Sequence, residues 1–179
     1  MTASASGGAI GLDALNSLNV DAFTEVLGGI FEHSSWIARA AWTARPFASV
    51  PTLHATMVTV VANAGAERQL DLLRAHPELA QTGPLTEASL AEQGGMGLDR
   101  LEADEAAAFD RLNAAYRVRF GFPFIIAVRG QRDRAAILAV LSARLENTPD
   151  QERTASLAEV AKIARFRLDD LIVASTNGT

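Results

Sequence analysis

Apolar residues recur at spacings of three and four positions along almost the whole chain, and this pattern restricts the fold more than any other feature. Such spacing lines one side of an α-helix, whereas a half-buried strand alternates apolar and polar residues. Only Ile125–Val128 has the composition of a strand, and four residues do not make a sheet alone. The clearest series are Phe23, Val26, Leu27, Ile30 and Phe31; Leu53, Met57, Val60 and Val61; and Phe109, Leu112, Tyr116 and Phe120.

Helix start and stop signals separate these series by short connections. Thr86 precedes a short helix that ends at Gly94-Gly95, and Gly121 suits the position after a longer helix that begins at Asp104. Thr148-Pro149-Asp150-Gln151 is a capping box with proline at the first helical position, and it opens a final helix that reaches about Ala174. Asp21 and Ser34-Ser35 are further candidate caps, Pro46 is a stop signal, and Pro51 suits a first helical position. Two more helices are predicted, Glu67–Ala75 and Asp133–Glu146, and a loop is predicted at Thr82-Gly83-Pro84.

The sequence therefore predicts an all-α fold, a compact single-domain helical bundle with short connections. With 179 residues, of which 49% are apolar, the chain has enough material for one core. We assign this domain to residues 12–175. Residues 1–11, rich in Ala, Ser and Gly, are expected to be a flexible N-terminus, and residues 176–179 a C-terminal tail.

Composition excludes several classes of function. The chain has no cysteine, which excludes disulfides, zinc–thiolate sites and a cysteine nucleophile. Its net charge is −5 and it has no basic run, so neither nucleic acid nor a membrane surface is expected as a partner. No apolar run approaches the length of about 18 residues that spans a bilayer, and we expect a soluble cytoplasmic protein. Its three histidines lack HExxH spacing, so no metal site is expected.

His76 is the first candidate for chemistry. It follows a predicted amphipathic helix, and Pro77 disfavours helical geometry in the residue before it. The imidazole therefore lies at an element boundary, where a side chain can face a cleft. The unperturbed pKa of a histidine lies near neutrality, which suits general acid or base catalysis. The alternative is a helix-terminal histidine that is favoured by the helix dipole.

Two neighbouring segments indicate the walls of a small site. Ser89, Glu92 and Gln93 share one helix face, which is either a polar strip for a ligand rich in N–H and C=O groups or a solvated face. Phe120-Gly121-Phe122-Pro123-Phe124 leads into Ile125–Val128. This segment is either ordinary core or a rigid wall whose backbone groups contact a flat polar ring.

Arg167 lies at the edge of the apolar stripe of the final helix. An arginine there either extends its charged end to water or meets a buried anion or carbonyl group.

These segments, in this order and spacing, resemble the 2-oxo-4-hydroxy-4-carboxy-5-ureidoimidazoline (OHCU) decarboxylases of urate breakdown over about Leu18 to Ala174. The resemblance rests on Phe31-Glu32-His33-Ser34, Trp42, Arg45-Pro46-Phe47, His76-Pro77-Glu78-Leu79-Ala80, Leu85-Thr86, Ser89, Glu92-Gln93, Gly97-Leu98-Asp99, Leu112-Asn113, Tyr116, Arg119 through Ile125, Arg144-Leu145, Asn147, Lys162-Ile163 and Arg167-Leu168. Ser35 and Ala40 depart from the family pattern, and both lie outside the expected site.

The resemblance implies a cofactor-free enzyme, typically a homodimer, that removes carbon dioxide from OHCU to give (S)-allantoin. It places His76, Glu92 and Arg167 at the catalytic positions. It places the substrate-contacting positions at Pro77, Ser89, Gln93, Phe124, Ile125, Ile126, Ala127 and Val128.

Two other functions fit the same residues. One is a non-catalytic helical module of this fold that binds a ligand or a partner protein and tolerates loss of His76, Glu92 and Arg167. The other is a different lyase or hydrolase of purine catabolism that uses the same pocket. A thermal-shift screen with allantoin and related ureides distinguishes them, because a bound ligand raises the melting temperature.

Overall fold

The computed structural model describes residues 9–80 and 86–173, and within these ranges helices dominate. The prediction of an all-α fold is confirmed. No helix of these ranges is long and apolar enough to cross a membrane. The elements are β1 (Ile10–Gly11), α1 (Leu12–Ser17), α2 (Val20–Leu27), α3 (Ser35–Ala41), a 3-10 helix (Trp42–Ala44), α4 (Val50–Asn63), α5 (Ala66–Arg74), α6 (Glu87–Gly95), α7 (Ala103–Phe120), a second 3-10 helix (Val128–Gly130), α8 (Arg134–Arg144), α9 (Pro149–Leu171) and β2 (Ile172–Val173).

The chain divides into two compact units. Of the described residues, the first contains 9–65 and 163–173, and the second contains 66–80 and 86–162. In the first unit, α3 packs against α2 and α4. Ile10 and Gly11, which the sequence assigns to a flexible terminus, form a short parallel pair with β2. The fully buried side chains of this unit include Leu15, Phe23, Leu27, Ile37, Leu53, Met57 and Leu168.

The second unit is built around aromatic side chains. Tyr116 on α7 is completely buried. Its ring lies 4.7 Å from that of Phe120, 5.9 Å from that of Phe122 and 5.4 Å from that of Phe124. The segment that follows α7 is thereby packed against α7 itself, which fixes where the run from Phe124 onward can lie.

Most of the predicted helix ends are confirmed. The Thr86 hydroxyl accepts from the Ser89 N–H, and Thr148 and Gln151 make the two reciprocal bonds of a capping box. Gly121 ends α7 in the left-handed conformation, with φ of +75°. Asp133 caps α8. Its carboxylate accepts a hydrogen bond from the Ala136 N–H, and this bond holds the pKa of the carboxyl below its usual value.

Some boundaries differ from the prediction. Asn19 rather than Asp21 caps α2, which ends before Ile30 and Phe31 because the chain turns there. Ile125–Ala127 joins no strand and Val128 begins a 3-10 helix, since no neighbouring strand pairs with this run. The final helix ends at Leu171. The loop predicted at Thr82-Gly83-Pro84, and the position Ala174, lie outside the described residues.

Replacing Gly121 by alanine should destabilise the protein. A Cβ at this position meets nothing within 4 Å, so the cost comes only from the left-handed backbone, about 1–2 kcal/mol. Gly130 is the matched control, because it is exposed and also has open space around it but has no positive φ. We expect Gly130→Ala to change the free energy of unfolding by less than about 0.5 kcal/mol in urea titrations. Equal stability of the two variants would contradict this reasoning.

Candidate active site

The imidazole of His76 is buried and held by the helix that precedes it. The residue is 7% exposed. Its backbone N–H donates to the Leu73 carbonyl at 3.2 Å, and Nδ1 lies 2.8 Å from the Leu72 carbonyl oxygen. A carbonyl oxygen only accepts, so Nδ1 carries the hydrogen. Nε2 is therefore the nitrogen that gains and loses a proton during any acid or base step.

The loop after His76 is fixed by side chains of α6 and α7. Gln93 accepts from the Ala80 N–H at 3.0 Å and donates to the Glu78 carbonyl at 3.4 Å. Asn113 donates to the Leu79 carbonyl at 3.0 Å, and Arg117 donates to the Glu78 carboxylate at 2.7 Å. Ala80 has a φ of +62°, which a non-glycine residue adopts only when its surroundings impose it. These contacts determine the direction in which the His76 loop runs.

The polar face of α6 is partly buried, so it is not an ordinary solvated face. Ser89 and Gln93 are buried, and Glu92 is half-buried. The Thr86 hydroxyl donates to the Ser89 hydroxyl at 3.0 Å. Because Gln93 uses its carboxamide on the His76 loop, it has a positioning role in addition to any contact with a ligand.

The segment Phe124–Val128 is buried at every residue. Arg144 donates to the Ile125 carbonyl at 2.7 Å, and the Ala127 N–H donates to Glu159 at 2.8 Å. Across the described part of the chain, no group hydrogen-bonds the N–H groups of Ile125 and Ile126 or the Ile126 carbonyl. Buried backbone groups are nearly always paired, so these three groups are available to a bound molecule.

Arg144 belongs to a buried polar network. It donates to Glu152 and Ser156, each at 2.7 Å. Tyr116 also donates to Glu152. Burial, together with this hydrogen bond, raises the pKa of the Tyr116 hydroxyl well above its usual range. The hydroxyl therefore remains a donor at all physiological pH values. The network holds the backbone of the Phe124–Val128 segment from one side.

Arg167 lies in the first unit and meets a buried anion. Its Nη1 donates to the Glu32 carboxylate at 2.8 Å and to the Gly29 carbonyl at 3.2 Å. Arg167 is 9% exposed and Glu32 is 2% exposed. The sequence allowed Arg167 either to extend its charged end to water or to meet a buried anion or carbonyl group. The second alternative is correct.

The second unit contains most of the predicted site residues. Gln93 of α6 bonds the His76 loop, and α6 also contacts the 3-10 helix that begins at Val128. The helix α6 is therefore adjacent both to the loop after His76 and to the end of the Phe124–Val128 segment. No group of three metal-binding side chains occurs within residues 9–80 and 86–173.

The sequence reasoning did not assign roles to several residues that hold the site. Asn113, Arg144 and Glu32 enter the sequence analysis only as positions of the family resemblance, and Arg117 and Glu159 do not enter it. The available signal was a polar residue on an otherwise apolar helix face, as at Asn113 beside Phe109 and Tyr116. A polar residue on an apolar helix face indicates that its side chain is buried. It does not identify the backbone group to which that side chain hydrogen-bonds.

Comparison with known proteins points to one family. The family model described as OHCU decarboxylase matches residues 16–169. The chain is 43% identical over 157 residues to the 2-oxo-4-hydroxy-4-carboxy-5-ureidoimidazoline decarboxylase of Haloferax volcanii, which covers 88% of this chain and 93% of that protein. It is 44% identical over 161 residues to the uric acid degradation bifunctional protein PucL of Bacillus subtilis, which covers 90% of this chain and 32% of that protein.

Two solved structures are also similar. A crystal structure of (S)-allantoin synthase has 34% identity and a TM-score of 0.75, over 91% of this chain and 54% of that one. A crystal structure of OHCU decarboxylase in the presence of (S)-allantoin has 27% identity and a TM-score of 0.65, over 77% of this chain and 91% of that one. The chain thus spans about a third of PucL and about half of the (S)-allantoin synthase chain.

We expect neutral His76 to be the tautomer with the hydrogen on Nδ1. The Leu72 carbonyl at 2.8 Å can accept a hydrogen bond only from a protonated Nδ1. Side-chain ¹⁵N chemical shifts above the titration midpoint should identify Nδ1 as protonated, while His33, which is exposed, should show the usual mixture. A His76 that is protonated on Nε2 in its neutral form would contradict the assignment.

Proposed function

The chain belongs to the OHCU decarboxylase family, and we propose that it is the carboxy-lyase that converts OHCU to (S)-allantoin and carbon dioxide in urate degradation. The observation that carries the proposal is the buried His76, whose Nδ1 lies 2.8 Å from the Leu72 carbonyl oxygen, and this supports Nε2 as the atom that transfers the proton. A non-catalytic binding module would not need an imidazole fixed in this way.

The reaction needs a place for an electron pair and then a proton. When the bond from the ring to the carboxylate breaks, carbon dioxide leaves and the electron pair forms a C=C bond, while the electrons of the adjacent ring C=N group move to its nitrogen, which takes up a proton. The resulting enol then loses its hydroxyl proton to become a carbonyl, while a proton is added to the carbon that bears the ureido group. Hydrogen-bond donors and acceptors that match the atoms where charge accumulates lower the barrier.

We assign proton delivery to His76. A protonated Nε2 on one side of the ring would add its proton to one face only, which sets the hand of the product. General acid catalysis of this kind contributes about 10²–10⁴-fold. The anchored Nδ1 keeps the imidazole from turning, so the same nitrogen faces the substrate in every turnover.

We assign orientation of the substrate to Glu92 and Arg167. Glu92 would accept from the ring hydroxyl or N–H and so hold the carboxylate out of the ring plane, where the breaking bond overlaps the π system. A guanidinium on the departing carboxylate would stabilise the ground state and slow the reaction. We therefore place Arg167 on a ring or ureido oxygen. Its bonds to Glu32 and Gly29 pre-organise the guanidinium for this task.

The remaining contacts would position the substrate and exclude water from the site. Pro77, Ser89 and Gln93 would contact the ring, as would the backbone of Phe124–Val128 with its unpaired groups at Ile125 and Ile126. The rings of Phe122 and Phe124 are buried and would exclude water. We further propose a cytoplasmic homodimer, since the family is typically dimeric. Sedimentation equilibrium tests the dimer.

His76→Ala should abolish enzyme-dependent formation of (S)-allantoin and lower kcat by about 10²–10⁴-fold. The assay follows freshly generated OHCU by circular dichroism of the product, because an excess of one enantiomer gives a signal whereas a racemic product gives none. His54→Ala is the control, since His54 lies on α4 in the first unit and has no proposed role. A His76 variant that keeps the stereospecific rate would remove this residue from the mechanism.

Arg167→Ala should also reduce turnover strongly, by about 10²-fold or more if it orients the substrate. Arg167→Lys keeps the charge beside Glu32 but loses the planar fork of the guanidinium, so it should recover folding better than activity. Steady-state kinetics and thermal melts measure the two effects separately. If Arg167→Ala loses stability but retains kcat/KM, then Arg167 serves only as the counter-charge of Glu32.

A further inference from the structure

The Phe124–Val128 segment belongs to no strand: Ala127 has extended backbone, with φ of −71° and ψ of 96°, and Val128 begins a 3-10 helix. Two side chains bind its backbone. Arg144 of α8 donates to the Ile125 carbonyl, and Glu159 of α9 accepts from the Ala127 N–H. The N–H and carbonyl of Ile126 lie between these two bonded groups.

The backbone groups of Ile126 are unpaired although the residue is buried. Ile126 is 4% exposed, and no hydrogen bond from residues 9–80 or 86–173 reaches its N–H or its carbonyl. A buried N–H or carbonyl without a hydrogen-bond partner lowers the stability of the fold. We therefore expect a bound molecule to pair with these groups.

We propose that Glu159 and Arg144 are positioning residues that fix the backbone on both sides of Ile126, so that the Ile126 N–H and C=O pair with the ureide or ring amide groups of the ligand. The inference rests on the proposed function for the identity of that ligand. Neither residue touches the substrate. Glu159 acts through the Ala127 N–H, and Arg144 acts through the Ile125 carbonyl.

Glu159 offers the cleaner test, because removal of Arg144 would leave the Glu152 carboxylate buried without its counter-charge. Glu159→Ala deletes the acceptor of the Ala127 N–H, whereas Glu159→Gln keeps an oxygen that can accept from it. Lys162→Ala is the matched control. Lys162 pairs with the other Glu159 oxygen at 2.6 Å, so its loss removes the ion pair but leaves the bond to Ala127.

Steady-state kinetics with OHCU and binding of (S)-allantoin should separate these variants. A backbone edge that holds the ring binds substrate and transition state equally, so Glu159→Ala should raise KM and the Kd for (S)-allantoin by about tenfold with little change in kcat. Glu159→Gln and Lys162→Ala should stay within about threefold of the wild type. An unchanged KM in Glu159→Ala, or an equal defect in all three variants, would overturn the proposal.

Amide hydrogen exchange measured by NMR supplies a readout that does not depend on turnover. Without ligand, the Ala127 amide should be protected in the wild type and in Glu159→Gln, and should exchange quickly in Glu159→Ala. Addition of (S)-allantoin to the wild type should protect the Ile126 amide. If (S)-allantoin binds and Ile126 remains unprotected, the proposal is wrong.

The two proposals can fail separately. A wild type that neither consumes OHCU nor binds (S)-allantoin would end the proposed function, while the Ala127 exchange rates would still decide whether Glu159 positions the segment. An active wild type with normal KM in Glu159→Ala would end only the positioning role.

Discussion

The buried ion pair between Arg144 and Glu152 is the interaction on which the rest of the second unit depends. It joins α8 to α9, receives the Tyr116 hydroxyl from α7, and reaches the backbone at Ile125. Removing two charges from water is expensive, and the cost is offset only when nearly every donor and acceptor is satisfied. Here Ser156 and Asn147 complete the set. Loss of one partner from such a pair typically costs about 3–5 kcal/mol.

The first unit also contains a buried ion pair, between Arg167 and Glu32. In both units a buried arginine binds a carboxylate and also donates to a main-chain carbonyl, Ile125 in one case and Gly29 in the other. The carboxylate neutralises the charge, and the fork of the guanidinium leaves donors for the backbone. Arginine therefore serves in each unit to fix irregular chain that no helix or sheet ladder could hold.

The sequence predicts what is decided locally. The caps at Thr86, Gly121, Asp133 and Thr148 involve residues within four positions of each other, and all are observed. The pairing of β1 with β2, the division into two units and the bonds of Asn113, Arg144 and Glu159 could not be predicted in this way. The two partners of each of these bonds lie 34, 19 and 32 residues apart, and nothing in the periodicity specifies which carbonyl or N–H such a side chain meets. The position of His76 at a helix end was predictable, but its anchored tautomer was not.

Ala80 limits which sequences this loop can accept. Its left-handed backbone, with φ of +62°, comes four residues after His76 and directly follows the two carbonyls that Gln93 and Asn113 bind. Glycine or asparagine adopts that conformation readily, whereas valine, isoleucine or threonine would force the chain to another path. Few residue types are therefore tolerated at position 80. A directed-evolution library built there would return mostly small residues, even though the side chain itself performs no chemistry.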